Sequence, residues 1–185
     1  MDDRTAISRI QQGDPKALEY LVKRYQVQAV RAAYLILNDQ HLAEDIVQSS
    51  FIKAAERMHQ FDIGRPFSPW FYRIVINDAL KLARKLEREI SLDEQLDGPA
   101  VQLSILLTDP DPKPEHLVEE NEIRRLILDA VQSLPPGQRA VIVMRYYLDM
   151  SMQEMSIETE RPLSTIKWWL RDARSRLRKI LINMS

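Results

Sequence analysis

One short stretch decides how this chain can be divided. Asp109-Pro110-Asp111-Pro112-Lys113-Pro114 places a proline at every second position, and Gly98-Pro99 stands a little upstream. Proline has no N–H to donate and its ring clashes with the preceding turn, so no helix runs through this segment. On both sides of it apolar residues recur at helical spacing. Residues 90–114 therefore read as an interdomain linker between a unit at 1–89 and a unit at 115–185. Glycine is scarce, at 4 in 185 residues, and the β-branched residues are scattered rather than alternating with polar ones. Both units are expected to be all-α: two small helical domains joined by an extended linker.

In the first unit Ala17, Leu18, Leu21, Val22, Tyr25, Ala29, Ala32, Ala33 and Ile36 mark one helix. A second is expected from His41 to about Gln60, burying Ile46, Val47, Phe51 and Ala54. Residues 61–69, with one Gly and two Pro, are expected to loop, and a third helix to run from Trp70 to Arg88. It would bury Phe71, Ile74, Val75, Leu82 and Leu86. In the second unit a helix is expected over Glu115–Ser133 with Ile123, Leu126, Ile127, Ala130 and Val131 inward. Leu134-Pro135-Pro136-Gly137 breaks it, and Gln138–Leu148 resumes. Ser151-x-x-Glu154 is a capping-box pattern that starts a short helix ending near Glu158. A tight turn then leads to Pro162 and the last helix.

The net charge of −1 argues at first against a nucleic-acid partner, since such domains carry a basic excess. Divided by segment, the balance is different: +2 over residues 1–90, −5 over 91–115 and +2 over 116–185. Two mildly basic units would be held apart by an acidic strand, with weak overall attraction to DNA. The acidic segment suits a solvated tether, but its run Val101 to Leu107 is too apolar for a pure spacer and is expected to pack on something.

The last helix carries the clearest pattern. Leu163, Ile166, Leu170, Ala173, Leu177 and Leu181 form one apolar stripe, while Lys167, Arg171, Arg174 and Arg178 cluster roughly 100° away from it. Trp168 lies nearly opposite the stripe, and Trp169 is expected at the core edge. A solvated charged face is the ordinary fate of such runs. Here the charge is one-signed, a tryptophan stands beside it, and a capped short helix with a tight turn precedes it. That is a helix-turn-helix pattern, whose second helix enters the DNA major groove. Helix 70–88 repeats the theme, with Arg73, Asn77, Lys81, Arg84 and Arg88 down one face and Phe61, Arg65, Phe67, Trp70 and Tyr72 at its head. Aromatic groups interleaved with cations suit unpaired bases and their phosphates. For Trp70 and Tyr72 core packing and base contact fit the pattern equally.

Other classes fit less well. The absence of cysteine removes disulfides, thiol nucleophiles and cysteine-based metal sites. The three histidines, His41, His59 and His116, stand far apart, and no glycine-rich loop exists to cradle a phosphate. No enzyme activity, metal or cofactor is expected. No apolar run approaches the roughly 18–20 residues of a membrane span, and no basic-then-apolar leader opens the chain. A cytoplasmic protein is expected. The chain ends at Ser185, just after the basic helix, so no appended sensor domain is expected.

Four stretches in order resemble a known family. They are Ala43-Glu44-Asp45-Ile46-Val47-Gln48-x-x-Phe51; Trp70-Phe71-Tyr72-Arg73-Ile74 with Asn77; Leu134-Pro135-Pro136-Gly137-Gln138-Arg139 followed by Met144-Arg145-Tyr146-Tyr147; and Pro162-Leu163-Ser164-Thr165-Ile166-Lys167 followed by Leu170, Ala173 and Arg174. Together the chain resembles an extracytoplasmic-function (ECF) sigma factor, the two-domain initiation subunit of bacterial RNA polymerase. The resemblance implies a region 2 helical bundle over 1–89, which binds core polymerase and recognises and melts the −10 element. It implies a region 4 helix-turn-helix over 115–185 that reads the −35 element.

By that resemblance Asp45, Ile46, Gln48, Ser49 and Phe51 would dock on the clamp of the largest polymerase subunit. Region 4 would meet the flap of the second-largest. Arg65, Phe67, Ser68, Trp70, Tyr72, Arg73, Asn77 and Lys81 would capture the melted −10 strand with one base flipped into a pocket. Ser164, Thr165, Lys167, Trp168, Arg171 and Arg174 would read −35 duplex. The linker would thread toward the active-site and RNA-exit channel, and an anti-sigma factor is an expected partner. The alternative is a stand-alone helix-turn-helix regulator with an N-terminal dimerisation or sensing module.

The chain departs from the family pattern at the bend. Glu160 stands where glycine is usual, and a non-glycine residue at positive φ costs about 1 kcal/mol, so a differently shaped bend is expected. Arg161 replaces an apolar residue, Ile157-Glu158 inverts the usual order, Trp168-Trp169 replaces small and basic residues, and Asp172 replaces a basic one. These differences bear on which −35 sequence is read.

Overall fold

The computed structural model describes residues 1–92 and 117–183, with helices and turns and no strand among them. The expected linker falls almost wholly outside the described residues, as does the run Val101 to Leu107.

The first helix, α1 (Asp3–Gln11), is one that the apolar spacing did not announce. It is short and buries mainly Ala6 and Ile7, and Asp2 caps it by accepting from the Thr5 N–H at 2.8 Å. Helix α2 (Leu18–Leu37) ends at Asn38, which takes the left-handed conformation at φ 57° that asparagine tolerates. Asp39 caps α3 (Gln40–Arg57) through the Leu42 N–H at 2.9 Å, and a 3₁₀ turn, Met58–Gln60, closes it. Helix α4 (Phe67–Leu92) begins three residues before the expected Trp70. Pro69 therefore sits inside the first turn, where its missing N–H costs nothing. The helix also continues past the expected boundary at residue 89.

Aromatic packing holds these helices together. Phe51 of α3 stacks on Phe71 of α4 at 4.4 Å between centroids, and Phe67 stacks on Phe71 at 5.6 Å. Tyr25 of α2 meets Phe67, Phe71 and Tyr72, while its hydroxyl donates to Asp3 and ties α1 down. Such pairs add roughly 0.5–1.5 kcal/mol each beyond the area they bury.

The second unit comprises α5 (Leu117–Gln132), α6 (Pro136–Ile142), a π-helical turn (Val143–Tyr147), α7 (Met152–Thr159) and α8 (Leu163–Asn183). Pro136 occupies the first turn of α6, and the reciprocal capping box of α7 is complete: Glu154 N–H to Ser151 Oγ at 3.1 Å and Ser151 N–H to Glu154 Oε2 at 2.7 Å. In α5 the expected inward face needs correction. Ala130 and Val131 are buried, but Ile123 and Ile127 are exposed and Leu128 is buried instead. Helix α5 packs against α2 and α8, and the row through Leu128 and Val131, one position on from Ile127, is the one buried there.

The two units are not held apart. Their buried side chains form one continuous core. The carbonyls at the end of α2 have no partners within that helix. Gln132 Nε2 donates to the Leu35 carbonyl at 2.8 Å, and Arg139 donates to that of Ile36. Arg139 also donates to the carbonyls of Gln132 at 2.7 Å and Leu134 at 2.9 Å, so one guanidinium ties the end of α2 to the α5–α6 turn.

Candidate nucleic-acid interface

The outer side of α4 forms the first basic face. Asn77, Lys81, Arg84 and Arg88 are exposed in a row, with Arg73 half-buried at its head. The row is held outward because Phe71, Val75, Ala79 and Ala83 bury the opposite side. Ser68 and Trp70 are half-buried, Trp70 against Phe61 at 4.7 Å and Phe67 at 5.7 Å.

Two residues expected on this face lie beneath it. Tyr72 is only 3% exposed, its hydroxyl donates to Gln28 Oε1 at 2.6 Å, and burial pushes its phenol well above the usual range. Phe67 is buried in the aromatic cluster. Both rings pack against Phe71 in the aromatic cluster beneath the exposed row. The same holds on α3. Asp45 and Gln48 are exposed and Ile46 and Ser49 half-buried, but Phe51, expected among the docking residues, is buried under Phe71.

The second face belongs to α7, the bend and α8. Lys167, Arg171 and Arg174 are exposed with Ser164, Thr165 is half-buried, and Trp168 is 51% exposed. Trp169 lies half-buried at the core edge, as the spacing predicts. The bend is not reshaped to suit glutamate: Glu160 takes the left-handed conformation itself, at φ 55° and ψ 34°. Ser156 fixes the turn, its hydroxyl donating to the Arg161 carbonyl at 2.7 Å while its carbonyl accepts from the Arg161 N–H at 3.2 Å.

Two departures from the family pattern find partners here. The Arg161 guanidinium lies 6.0 Å from the centre of the Trp169 ring. Asp172 accepts from Arg176 at 3.0 Å and from Gln138 at 2.5 Å, and these bonds hold its carboxyl below the usual range. Asp172 therefore serves the α6–α8 contact.

The two faces meet at a cleft. Asn77, Lys81 and Arg84 of α4 look across a cavity of about 310 Å³ at Arg161 and Trp169, above a floor of Leu80, Val141 and Met144. Beside it Arg65 Nη2 pairs with Glu158 Oε1 at 2.7 Å, and Arg73 pairs with Glu158 at 3.6 Å and with Glu160 Oε1 at 3.0 Å. Sequence reading missed Glu158 and Glu160 as partners of these arginines, and Gln132 and Arg139 as ties between the units. A signal existed for Glu158. It stands three residues after the buried Met155, where an amphipathic helix wants an apolar side chain, and the apolar Ile157 is turned outward.

Comparison with known proteins bears on the whole chain. The family model Sigma-70 region 2 matches residues 21–89, and Sigma-70, region 4 matches residues 124–177. The chain is 32% identical over 177 residues to the ECF RNA polymerase sigma factor SigW of Bacillus subtilis, covering 95% of this chain and 94% of that protein. It is 30% identical over 171 residues to the ECF RNA polymerase sigma-E factor of Haemophilus influenzae, covering 90% and 88%. Its fold is similar to that of CnrH in complex with the cytosolic domain of CnrY, with TM-score 0.70 and 23% identity over 99% of each chain. It is also similar to the sigma factor RpoE in complex with the anti-sigma factor NepR from Bartonella quintana, with TM-score 0.65 and 20% identity, covering 88% and 96%.

Proposed function

Because this chain belongs to the ECF sigma factors of bacterial RNA polymerase, and so is a transcription initiation factor without catalysis of its own, we propose a division of labour among its faces. Residues 1–89 bind core polymerase and open the promoter, and residues 115–185 read the upstream duplex. Residues 90–114 connect the two. As a partner of core polymerase the protein acts in the cytoplasm. No described helix is long and apolar enough to cross a membrane.

The observation that carries this reading is the outward row Asn77, Lys81 and Arg84 beside the half-exposed Trp70, set on a rigid aromatic cluster. Unpaired bases need an aromatic surface and cations for the adjoining phosphates, and this face offers both. Arg65, Ser68, Trp70, Arg73, Asn77 and Lys81 hold the −10 strand; Phe67 and Tyr72 buttress them. On α8 the exposed Lys167, Trp168, Arg171 and Arg174, with Ser164 and Thr165 at the helix start, contact −35 duplex in its major groove. Asp45, Ile46, Gln48 and Ser49 meet the clamp of the largest polymerase subunit, with Phe51 holding their helix in place. The second unit meets the flap of the second-largest subunit. An anti-sigma factor is a further partner, a reading supported by the fold shared with a sigma factor solved in complex with one.

Family membership over residues 21–89 sets aside a stand-alone regulator with an unrelated sensing module. The test is co-purification with core polymerase followed by run-off transcription from a pool of genomic fragments. Core binding with promoter-selective transcripts is expected; a chain that binds core and selects no promoter would defeat the division proposed.

A further inference from the structure

We infer that the helix-turn-helix bend is a latch on the promoter-strand face: in the free protein Glu158 and Glu160 occupy, in place of phosphates, the guanidinium groups of Arg65 and Arg73. This rests on the reading that these two arginines hold the −10 strand.

The geometry is specific. Arg65 Nη2 lies 2.7 Å from Glu158 Oε1, and Arg73 reaches both carboxylates, at 3.6 Å and 3.0 Å. Both acids belong to the second unit and both cations to the first, so every one of these pairs spans the interface. The Glu158 side chain is only 4% exposed, and a buried carboxylate is costly unless it is paired. Arg65 and Arg73 are its ion-pair partners among the described residues. Glu160 is placed differently, 76% exposed and held at a left-handed bend where glycine would sit without strain. What the carboxylate adds at that position is its contact with Arg73.

A guanidinium takes carboxylate and phosphate oxygens in the same forked geometry, so the acids and a DNA backbone compete for the same groups. The competition is adjustable. The pairs lie at a partly exposed interface and weaken with salt, and whatever separates the units frees both arginines together. Glu158 and Glu160 are two of the departures from the family pattern, so the latch belongs to this chain's own sequence.

The experiment uses the full chain without polymerase. A fluorescein-labelled 20-mer of oligothymidine reports binding by anisotropy between 50 and 200 mM salt. Independently, fluorophores at K23C and S175C, two exposed positions in a chain without cysteine, report the separation of the units. The Glu158→Gln/Glu160→Gln variant is expected to bind the oligonucleotide about tenfold more tightly at 50 mM salt. Its log–log salt slope should steepen by roughly 0.7 for each arginine released, and its labels should move apart. Glu160→Gln alone, at an exposed position that leaves folding intact, should shift each readout in the same direction by a smaller amount. Unchanged affinity and unchanged separation in Glu160→Gln and in the double variant would overturn the latch. A separate arm tests the reading beneath it: Arg65→Ala/Arg73→Ala in the holoenzyme should impair promoter opening. Labels that separate in the glutamine variants without any change in oligonucleotide affinity, together with normal opening by the arginine variant, would keep the contact and sink both the −10 assignment and the latch built on it.

Discussion

The guanidinium of Arg139 donates to the main-chain carbonyl of Ile36, so a side chain in α6 caps a helix 103 residues earlier in the chain. The group is buried, and burial holds its pKa below the ordinary value although Glu87 lies 3.9 Å away. One fixed fork serves three carbonyls, of Ile36, Gln132 and Leu134, and thereby joins the two units.

Removing that fork should loosen the whole molecule. Arg139→Ala leaves buried carbonyls without donors and is expected to cost about 2–4 kcal/mol in urea unfolding. Arg139→Lys should recover only part of it, since an ammonium cannot reproduce the planar fork. A loss under about 0.5 kcal/mol would mean that the fork does not tie the units together in solution.

On α8 the two exposed cations should be legible through salt. Lys167→Ala/Arg171→Ala is expected to weaken −35 duplex binding by the holoenzyme and to flatten its log–log salt dependence by roughly 0.9 for each phosphate no longer neutralised. An unchanged slope would move both residues off the DNA.

The row on α4 and the residue buried beneath it should separate opening from stability. Trp70→Ala and Asn77→Ala are expected to impair promoter opening, followed by permanganate reactivity, with core binding intact. Tyr72→Phe loses the bond to Gln28 and should cost about 1 kcal/mol of stability with normal opening. An opening defect in Tyr72→Phe that matches Asn77→Ala would return the tyrosine to the DNA face.

Asp172 makes a pH prediction. Hydrogen bonds from Arg176 and Gln138 lower its carboxyl pKa in the folded chain. A depressed folded value contributes stability that is present above the unfolded value, near pH 4, and lost as pH falls through the folded one. Wild type should therefore exceed Asp172→Asn in thermal midpoint at pH 6, and the gap should close toward pH 3. A gap independent of pH would show that the ionised form contributes nothing.

Much of this was legible along the chain. The apolar spacing of Leu163, Ile166, Leu170 and Ala173 told which side of α8 turns inward, and with it that Trp168 and Lys167 turn outward. Helical periodicity is a local property, fixed by the rotation per residue and the need to hide apolar surface. For the same reason the capping box at Ser151 and Glu154 and the stop at Pro135-Pro136 stood where they were expected. The loop signal of Gly64, Pro66 and Pro69 misled locally: Pro69 read as loop, although a proline is tolerated in a first turn.

The burial of Phe51, Phe67 and Tyr72 was not legible, because an aromatic group suits a base and a core equally well and only its neighbours in space choose between them. Nor was the outward turn of Ile127, which depends on where α2 and α8 end up. Charge segregation told that both units are basic, but not that Glu158 and Glu160 would lie against Arg65 and Arg73. The chain by itself determined most of its helices and the inner faces of α2, α4 and α8, because these follow from short-range spacing. Tertiary structure alone decided which charges meet, because ion pairs and helix caps between Ile36 and Arg139 or Arg65 and Glu158 join residues about a hundred positions apart, and no periodicity carries across that distance.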